Sequence, residues 1–134
     1  MPNDRRADRD RAHPGSSGLA EKRVLLVEDE ALAAMLAEDL LAELGVTVVG
    51  PAGTVREGRR LAEREALDAA VLDVHLDGER SWPVAATLRA RGVPFVFTTG
   101  DAGTSFAAGT TVVTKPYRRD DLERALRDVL AAGG

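Results

Sequence analysis

Five short apolar runs punctuate the chain from residue 23 onward, and the stretches between most of them carry apolar residues at helical spacing. The runs fall at 23–28, 46–50, 69–73, 94–98 and 111–114. Strands that alternate with helices favour parallel pairing, because each helix returns the chain to the same end of the sheet. We therefore predict an α/β fold with a doubly wound, five-stranded parallel sheet in the order 2-1-3-4-5.

Four helices are predicted between and after these runs. The first has an apolar face at helical spacing, made by Leu32, Met35, Leu36, Leu40 and Leu44, and ends at Gly45. Thr54 is the expected N-cap of the second, with Glu57 completing a capping box. The third is expected between Ser81 and Gly92, and the last over 118–131. The glycine-rich segment 101–109 is a poor helix, so we expect a mobile loop or at most one turn there.

Length and composition divide the chain into one domain and two short ends. At 134 residues it is long enough for one domain with a substantial core. Residues 1–20 mix charges with a Pro-Gly-Ser-Ser-Gly stretch and contain little to bury, so they are expected to be a disordered N-terminal extension. The domain itself is predicted over 21–131, followed by a tail at 132–134.

Charge and cysteine content exclude several classes of function. The net charge of −4 argues against a nucleic-acid surface. With no cysteine, the chain has neither a disulfide scaffold nor a thiolate metal site. No apolar stretch is long enough to span a bilayer, and the N-terminus lacks the apolar core of a secretion signal. We expect a cytoplasmic protein without a membrane partner.

Three carboxylates follow two of the apolar runs. Glu28 and Asp29 close the first, and Asp73 closes the third. In the predicted strand order these runs are neighbours, and ligands of such sheets bind beyond the carboxyl ends of the strands. Like charges repel by about 4 kcal/mol for a pair at about 4 Å in an effective dielectric of about 20. A bound Mg²⁺ removes that repulsion and prefers oxygen ligands, so a magnesium site is predicted.

The two remaining run ends carry groups that suit a phosphoryl ligand. Thr99 offers a hydroxyl, and Gly100 leaves room for a tetrahedral group to approach. Lys115 precedes Pro116, and a cis bond between them could aim the ammonium group into the carboxylate cluster. Metal, carboxylate nucleophile, hydroxyl and cation together are the parts of a phosphoryl-transfer site.

Residues 22–130 resemble the receiver domain of two-component response regulators. The similar segments are Val24-Leu-Leu-Val-Glu-Asp-Glu30, Leu72-Asp-Val-His-Leu76, Pro94-Phe-Val-Phe-Thr-Thr-Gly100 and Lys115-Pro116-Tyr117. The resemblance implies a flavodoxin-like receiver fold and a signalling domain rather than an enzyme, with only self-catalysed phosphorylation and dephosphorylation. It also implies a histidine kinase or a histidine phosphotransfer protein as the phosphoryl partner. Because no further domain follows the last helix in this sequence, we expect a stand-alone regulator that acts on a downstream protein or serves as a phosphate relay or sink.

The resemblance also assigns a role to each site residue. Asp73 would accept the phosphoryl group, while Glu28, Asp29, Asp73 and the backbone carbonyl of His75 would hold Mg²⁺. Thr99 and Lys115 would bind phosphoryl oxygens, and Gly100 would give the phosphoryl group access. The added negative charge is expected to reorder the loop at 100–110.

Two departures from most receivers resemble the FAT GUY subfamily. Val112 stands where the usual switch aromatic is found, and Thr99 and Lys115 are too close in sequence for an ordinary fourth helix, which should be shortened or missing. Asp101 and Ala102 stand where that subfamily has an aromatic residue.

Two other functions remain open at this point. The first is a degenerate receiver that binds partners without phosphorylation. The second is an aspartate-nucleophile phosphatase of the dehalogenase-like type, which requires a second acid two residues after the nucleophile. Here that position is His75.

Overall fold

The structure, a computed structural model, describes residues 18–101 and 103–133. Five strands form its main sheet: β1 (Arg23–Val27), β2 (Thr47–Ala52), β3 (Ala69–Asp73), β4 (Phe95–Thr99) and β5 (Val112–Thr114). Four helices accompany them: α1 (Ala31–Glu43), α2 (Val55–Arg64), α3 (Trp82–Ala90) and α4 (Arg119–Gly133). Within the described residues, no helix has the length and apolar character needed to cross a membrane.

The sheet confirms the predicted topology. Its strands lie in the order β2-β1-β3-β4-β5, and every neighbouring pair is parallel. The strand ends are nearly level, since Val27 pairs with Leu72, and Asp73 with Thr98. This register places whatever follows β1, β3 and β4 at one edge of the sheet, which we call the carboxyl edge.

Helices cover both faces of the sheet, and each face has its own apolar core. The side of α1 and α4 is filled by buried residues that include Val24, Leu26, Leu41, Val71, Leu122 and Leu126. The side of α2 and α3 is filled by Leu25, Val27, Leu72, Val84, Leu88 and Phe97. The strands point alternate residues to opposite faces, so apolar side chains on both faces explain why these runs read as continuous rather than alternating.

The helix ends follow the sequence signals closely, with one correction. Gly45 follows α1 with φ of 86°, the left-handed conformation that glycine adopts without strain. The Thr54 hydroxyl accepts a hydrogen bond from the Glu57 backbone N–H at 3.0 Å and so caps α2. The Glu57 carboxylate accepts from the Gly53 N–H at 3.4 Å instead of returning to Thr54, so the predicted capping box is only half formed.

The connection from β4 to β5 contains no helix among its described residues, as the sequence predicts. The ring of Phe106, in the middle of this connection, lies 5.4 Å from the ring of Phe97 and 6.4 Å from that of Trp82. Trp82 in turn packs edge-on against Phe97 at 5.3 Å. An aromatic cluster therefore covers the part of the sheet that a fourth connecting helix would otherwise cover.

A short hairpin follows β3 that the sequence analysis did not predict. His75–Leu76 pairs antiparallel with Glu79–Arg80, and Leu76 is fully buried. The two residues between them, Asp77 and Gly78, have φ of 48° and 83°, the pattern of a type I′ turn. An Asp-Gly pair is the usual sequence signal for that turn, so the hairpin could have been recognised.

The domain boundaries differ slightly from the predicted ones. Leu19, assigned to the N-terminal extension, is buried in the core between α1 and α4. Helix α4 continues to Gly133, beyond the predicted domain end at 131. The rest of the predicted extension, residues 1–17, lies outside the described residues, as do Ala102 and Gly134.

Candidate functional site

The predicted carboxylate cluster forms at the carboxyl edge of the sheet. Glu28, Asp29 and Asp73 each offer an oxygen, and these three oxygens lie within 4.8 Å of one another. Glu28 and Asp73 are 6% and 7% exposed, whereas Asp29 is exposed to solvent. The two strands bring them together because β1 and β3 are hydrogen-bonded neighbours that end at the same level.

Lys115 lies inside this cluster, as predicted. Its Nζ is 2.7 Å from Glu28 Oε1 and 3.0 Å from Asp73 Oδ2, and the Lys115–Pro116 peptide bond is cis. One ammonium group thus donates hydrogen bonds to carboxylates from two different strands. It offsets part of the negative charge, but one cation does not balance three acids.

The pKa values of Glu28 and Lys115 are both raised, for different reasons. Burial raises the pKa of Glu28, and the neighbouring charge of Asp73 raises it further, although the hydrogen bond from Lys115 acts in the opposite direction. Burial alone would lower the pKa of Lys115, but its hydrogen bonds to Glu28 and Asp73 outweigh that effect and raise it. The lysine is therefore held as a cation beside a carboxylate that binds a proton more readily than usual.

A divalent cation suits these ligands. Three carboxylate oxygens from the ends of two adjacent strands, with one side open to solvent at Asp29, match the hard oxygen donors and retained waters that Mg²⁺ prefers. The ion would also remove the uncompensated charge that Lys115 leaves.

The short hairpin settles what the His75 side chain does. Its Nδ1 lies 3.3 Å from the Arg80 guanidinium on the exposed face of the hairpin. The Ser81 N–H donates to the Val74 carbonyl at 2.8 Å. Pairs in an antiparallel ladder alternate, so His75 and Arg80 form a non-hydrogen-bonded pair, and the hairpin does not occupy the His75 carbonyl. That carbonyl stays a predicted metal ligand.

Thr99 and Gly100 lie at the end of β4, next to the end of β3. Thr99 is 2% exposed, and its hydroxyl accepts a hydrogen bond from the Asp101 N–H at 3.0 Å. The Thr99 hydroxyl therefore contacts the start of the β4–β5 connection and not the carboxylates. A Cβ added at Gly100 would meet no atom within 4 Å, so there is open space beside it. The predicted access for a bulky group fits that space.

One contact of the site was missed by the sequence analysis. The Asp77 N–H at the tip of the hairpin donates to Asp29 Oδ2 at 2.7 Å. The partners are far apart in sequence, and the donor is a backbone group. Only the Asp-Gly turn signal hinted that this backbone has a defined conformation.

No protein-family model matches the chain. A curated relative, the transcriptional regulatory protein PdtaR of Mycobacterium tuberculosis, is 31% identical over 104 residues, which is 78% of this chain. The chain spans only 44% of the length of that relative.

Solved structures match over most of the chain. SdrG from Sphingomonas melonis Fr1 is 42% identical with a TM-score of 0.73, and the match covers 85% of this chain and 98% of SdrG. The receiver domain of the sensor histidine kinase PA1611 from Pseudomonas aeruginosa is 28% identical with a TM-score of 0.74, covering 84% of this chain and 99% of that domain. That crystal structure has a magnesium ion coordinated in its active site cleft.

Proposed function

Because this chain belongs to the receiver domains of response regulators, we propose that it accepts a phosphoryl group on Asp73 from a phosphohistidine in a Mg²⁺-dependent reaction. The observation that carries the proposal is the meeting of Asp73 with Glu28 and Lys115, within hydrogen-bond distance of one ammonium group. A buried aspartate beside one cation and two further acids is costly to maintain, and a phosphoryl-transfer role accounts for it.

Glu28, Asp29, Asp73 and the His75 carbonyl would hold the magnesium ion. When bound, the ion neutralises these carboxylates and stabilises negative charge on phosphoryl oxygens. The magnesium-bound receiver domain of PA1611 supports this assignment by similarity.

Transfer forms one bond and breaks one. An Asp73 oxygen bonds to phosphorus while the phosphorus–nitrogen bond of phosphohistidine breaks, giving an acyl phosphate and an imidazole that takes up a proton. Lys115 already donates to Asp73 Oδ2, so its ammonium is placed to bind an oxygen of the arriving group. Thr99 would exchange its hydrogen bond with Asp101 for one to another phosphoryl oxygen. The open space at Gly100 admits the group.

The donor in this proposal is a protein that carries the phosphohistidine, either a histidine kinase or a histidine phosphotransfer protein. Three large apolar side chains of α1, Leu32, Met35 and Leu36, are 56–59% exposed. A cavity of about 320 Å³ adjoins them, lined mainly by apolar residues of α1 and by Lys115, Pro116 and Tyr117. An exposed apolar face that reaches the site lysine suits a partner that must deliver its histidine to Asp73.

The subfamily and the output are also part of the proposal. The β4–β5 connection, whose described residues form no helix, and Val112 on β5 support membership of the FAT GUY receivers. Phosphorylation would act through a downstream protein, or pass the phosphoryl group on in a relay or sink.

The deciding experiment compares the wild type with Asp73→Asn after incubation with candidate kinases, followed by Phos-tag electrophoresis. The wild type should shift in the presence of Mg²⁺ and not in excess chelator, and Asp73→Asn should not shift. A shift that survives the substitution would place the acceptor elsewhere, with Asp29 tested next. A wild type that gains phosphate from no donor would favour the phosphorylation-independent binding module, and steady hydrolysis of a phosphate ester would favour the phosphatase.

The donor surface has its own test. Leu36→Ser should slow transfer from a phosphohistidine protein by about tenfold, because an exposed apolar contact is lost, and should leave transfer from acetyl phosphate unchanged. Leu61→Ser, on α2, removes a half-buried leucine away from this face and is the control for lost packing alone, since it should not slow the phosphohistidine donor relative to acetyl phosphate. Equal slowing with both donors would show that the substitution disturbs the site and not the docking surface.

A further inference from the structure

The short hairpin after β3 is bound at both ends. At its base, the Ser81 N–H donates to the Val74 carbonyl, and Leu76 is buried in the core. At its tip, the Asp77 N–H donates to Asp29 Oδ2 at 2.7 Å. The hairpin therefore links the connection after β1 to the connection after β3.

Asp29 depends on this link more than the other two acids do. Glu28 and Asp73 are buried and share hydrogen bonds with Lys115, whereas Asp29 is exposed. An exposed carboxylate at a strand end is free to rotate unless a neighbour holds it. A hydrogen bond from a backbone N–H fixes it more firmly than one from a flexible side chain would.

We propose that the Asp77–Gly78 turn positions Asp29 for the magnesium ion. A carboxylate has two oxygens, so the bond from Asp77 leaves one of them for the ion. Groups that orient a metal ligand in this way commonly change metal affinity by about 10–100-fold when they are lost. Asp77 is a positioning residue that acts through its backbone, and the inference rests on the proposed magnesium site.

Both central residues of the turn have positive φ, which gives a clean way to disturb it. Gly78 has φ of 83°, and a Cβ added there would meet no atom within 4 Å. The Cβ of a residue placed at Gly78 therefore meets no neighbour, and a β-branched residue acts chiefly by disfavouring the left-handed backbone. Gly92 has φ of 73° and equally open surroundings, and it lies at the far end of the sheet after α3. Gly92→Val is thus a control matched for backbone strain.

The test is Mg²⁺ titration of the whole protein, followed by calorimetry and by the fluorescence of Trp82, the one tryptophan of the chain. Gly78→Val should weaken Mg²⁺ binding by about tenfold, and Gly92→Val should leave it unchanged. Asp77→Gly keeps both the N–H and the turn, so it should bind Mg²⁺ within about threefold of wild type, because an exposed charge is largely screened.

A second readout follows the link itself. In the amide NMR spectrum of the metal-free protein, Asp29→Ala should shift the Asp77 resonance and remove its exchange protection, and should leave the Gly92 resonance in place. If Gly78→Val binds Mg²⁺ like the wild type, the positioning role is wrong while the proposed function stands. If Asp77→Gly loses as much affinity as Gly78→Val, the Asp77 carboxylate and not its backbone is responsible. A wild type that binds no Mg²⁺ would overturn both proposals.

Discussion

The two edges of the sheet handle charge in opposite ways. At the carboxyl edge, Glu28 and Asp73 are buried with a single cation, Lys115, between them. At the amino edge, where the strands begin, Arg23 forms an exposed ion pair with Glu65 at 2.8 Å and donates through Nε to a backbone carbonyl. The charge of Arg23 is thus accessible to solvent and hydrogen-bonded to a backbone group.

Arg91 makes the contrast clearer. Its guanidinium donates to the backbone carbonyls of Ala62 and Glu65, at the end of α2, where a helix leaves carbonyls without partners. These arginines donate to acceptors that lie within the fold, so they serve its stability. The comparison indicates that the fold is stabilised at one edge, and that the other edge retains charge for a ligand.

The largest expected effect comes from removing Lys115, the cation that pairs with the buried carboxylates of the carboxyl edge. Lys115→Met should lower the free energy of unfolding by about 3 kcal/mol in excess chelator, because it leaves buried carboxylates without their partner. Mg²⁺ should restore much of that loss. Urea denaturation with and without the ion measures both.

Lys22→Met is the natural control, since Lys22 lies at the amino edge and is the chain's other lysine. It should change stability by under about 0.5 kcal/mol with no dependence on Mg²⁺. Equal effects of the two substitutions would remove the distinction between the edges.

A smaller effect is expected from the amino edge. Arg91→Ala should cost about 1 kcal/mol, because two partly exposed hydrogen bonds to carbonyls are lost. It should leave phosphorylation of Asp73 unchanged, as measured by Phos-tag electrophoresis. Arg89→Ala, in the last turn of α3, is a suitable comparison, and a marked loss of phosphorylation in Arg91→Ala would contradict the division of roles.

The smallest expected effect is on pH dependence. The raised pKa of Glu28 means that the folded protein binds this proton more tightly than the unfolded chain does. In metal-free protein, the free energy of unfolding should therefore decrease as pH rises from the ordinary glutamate pKa through the raised one.

Denaturation at several pH values in excess chelator tests this, and Glu28→Gln should lack that part of the slope. Protons and Mg²⁺ compete for the same carboxylate, so Mg²⁺ affinity should fall as pH is lowered through the same range. A wild-type slope that matches Glu28→Gln would show that Glu28 does not titrate differently from the unfolded chain.

The residues that meet at the carboxyl edge could be predicted because they depend only on which runs are strands and on the order of those strands. Once the apolar runs are strands of a parallel sheet, the residues that end neighbouring runs must meet, and Glu28, Asp29 and Asp73 do. Lys115 was predictable for the same reason, since it ends the last run.

Contacts made by backbone groups and by the loop could not be predicted in this way. The Asp77 N–H reaches Asp29 because a two-residue turn aims it there, and no apolar periodicity records such a turn. Thr99 was predicted at the right place. Its hydroxyl, however, accepts a hydrogen bond from Asp101, a contact within the loop that the order of the strands does not determine. The packing of Phe106 on Trp82 depends on the path of a connection whose described residues form neither helix nor strand.

That packing sets how easily the β4–β5 connection can open. Phe106 is a half-buried ring that anchors the connection to the aromatic cluster, and exposing such a ring costs about 2 kcal/mol. An opening free energy of that size corresponds to a detached population of about 3% at room temperature. A signal would therefore enlarge a detached population of the connection that already exists, rather than create a new conformation.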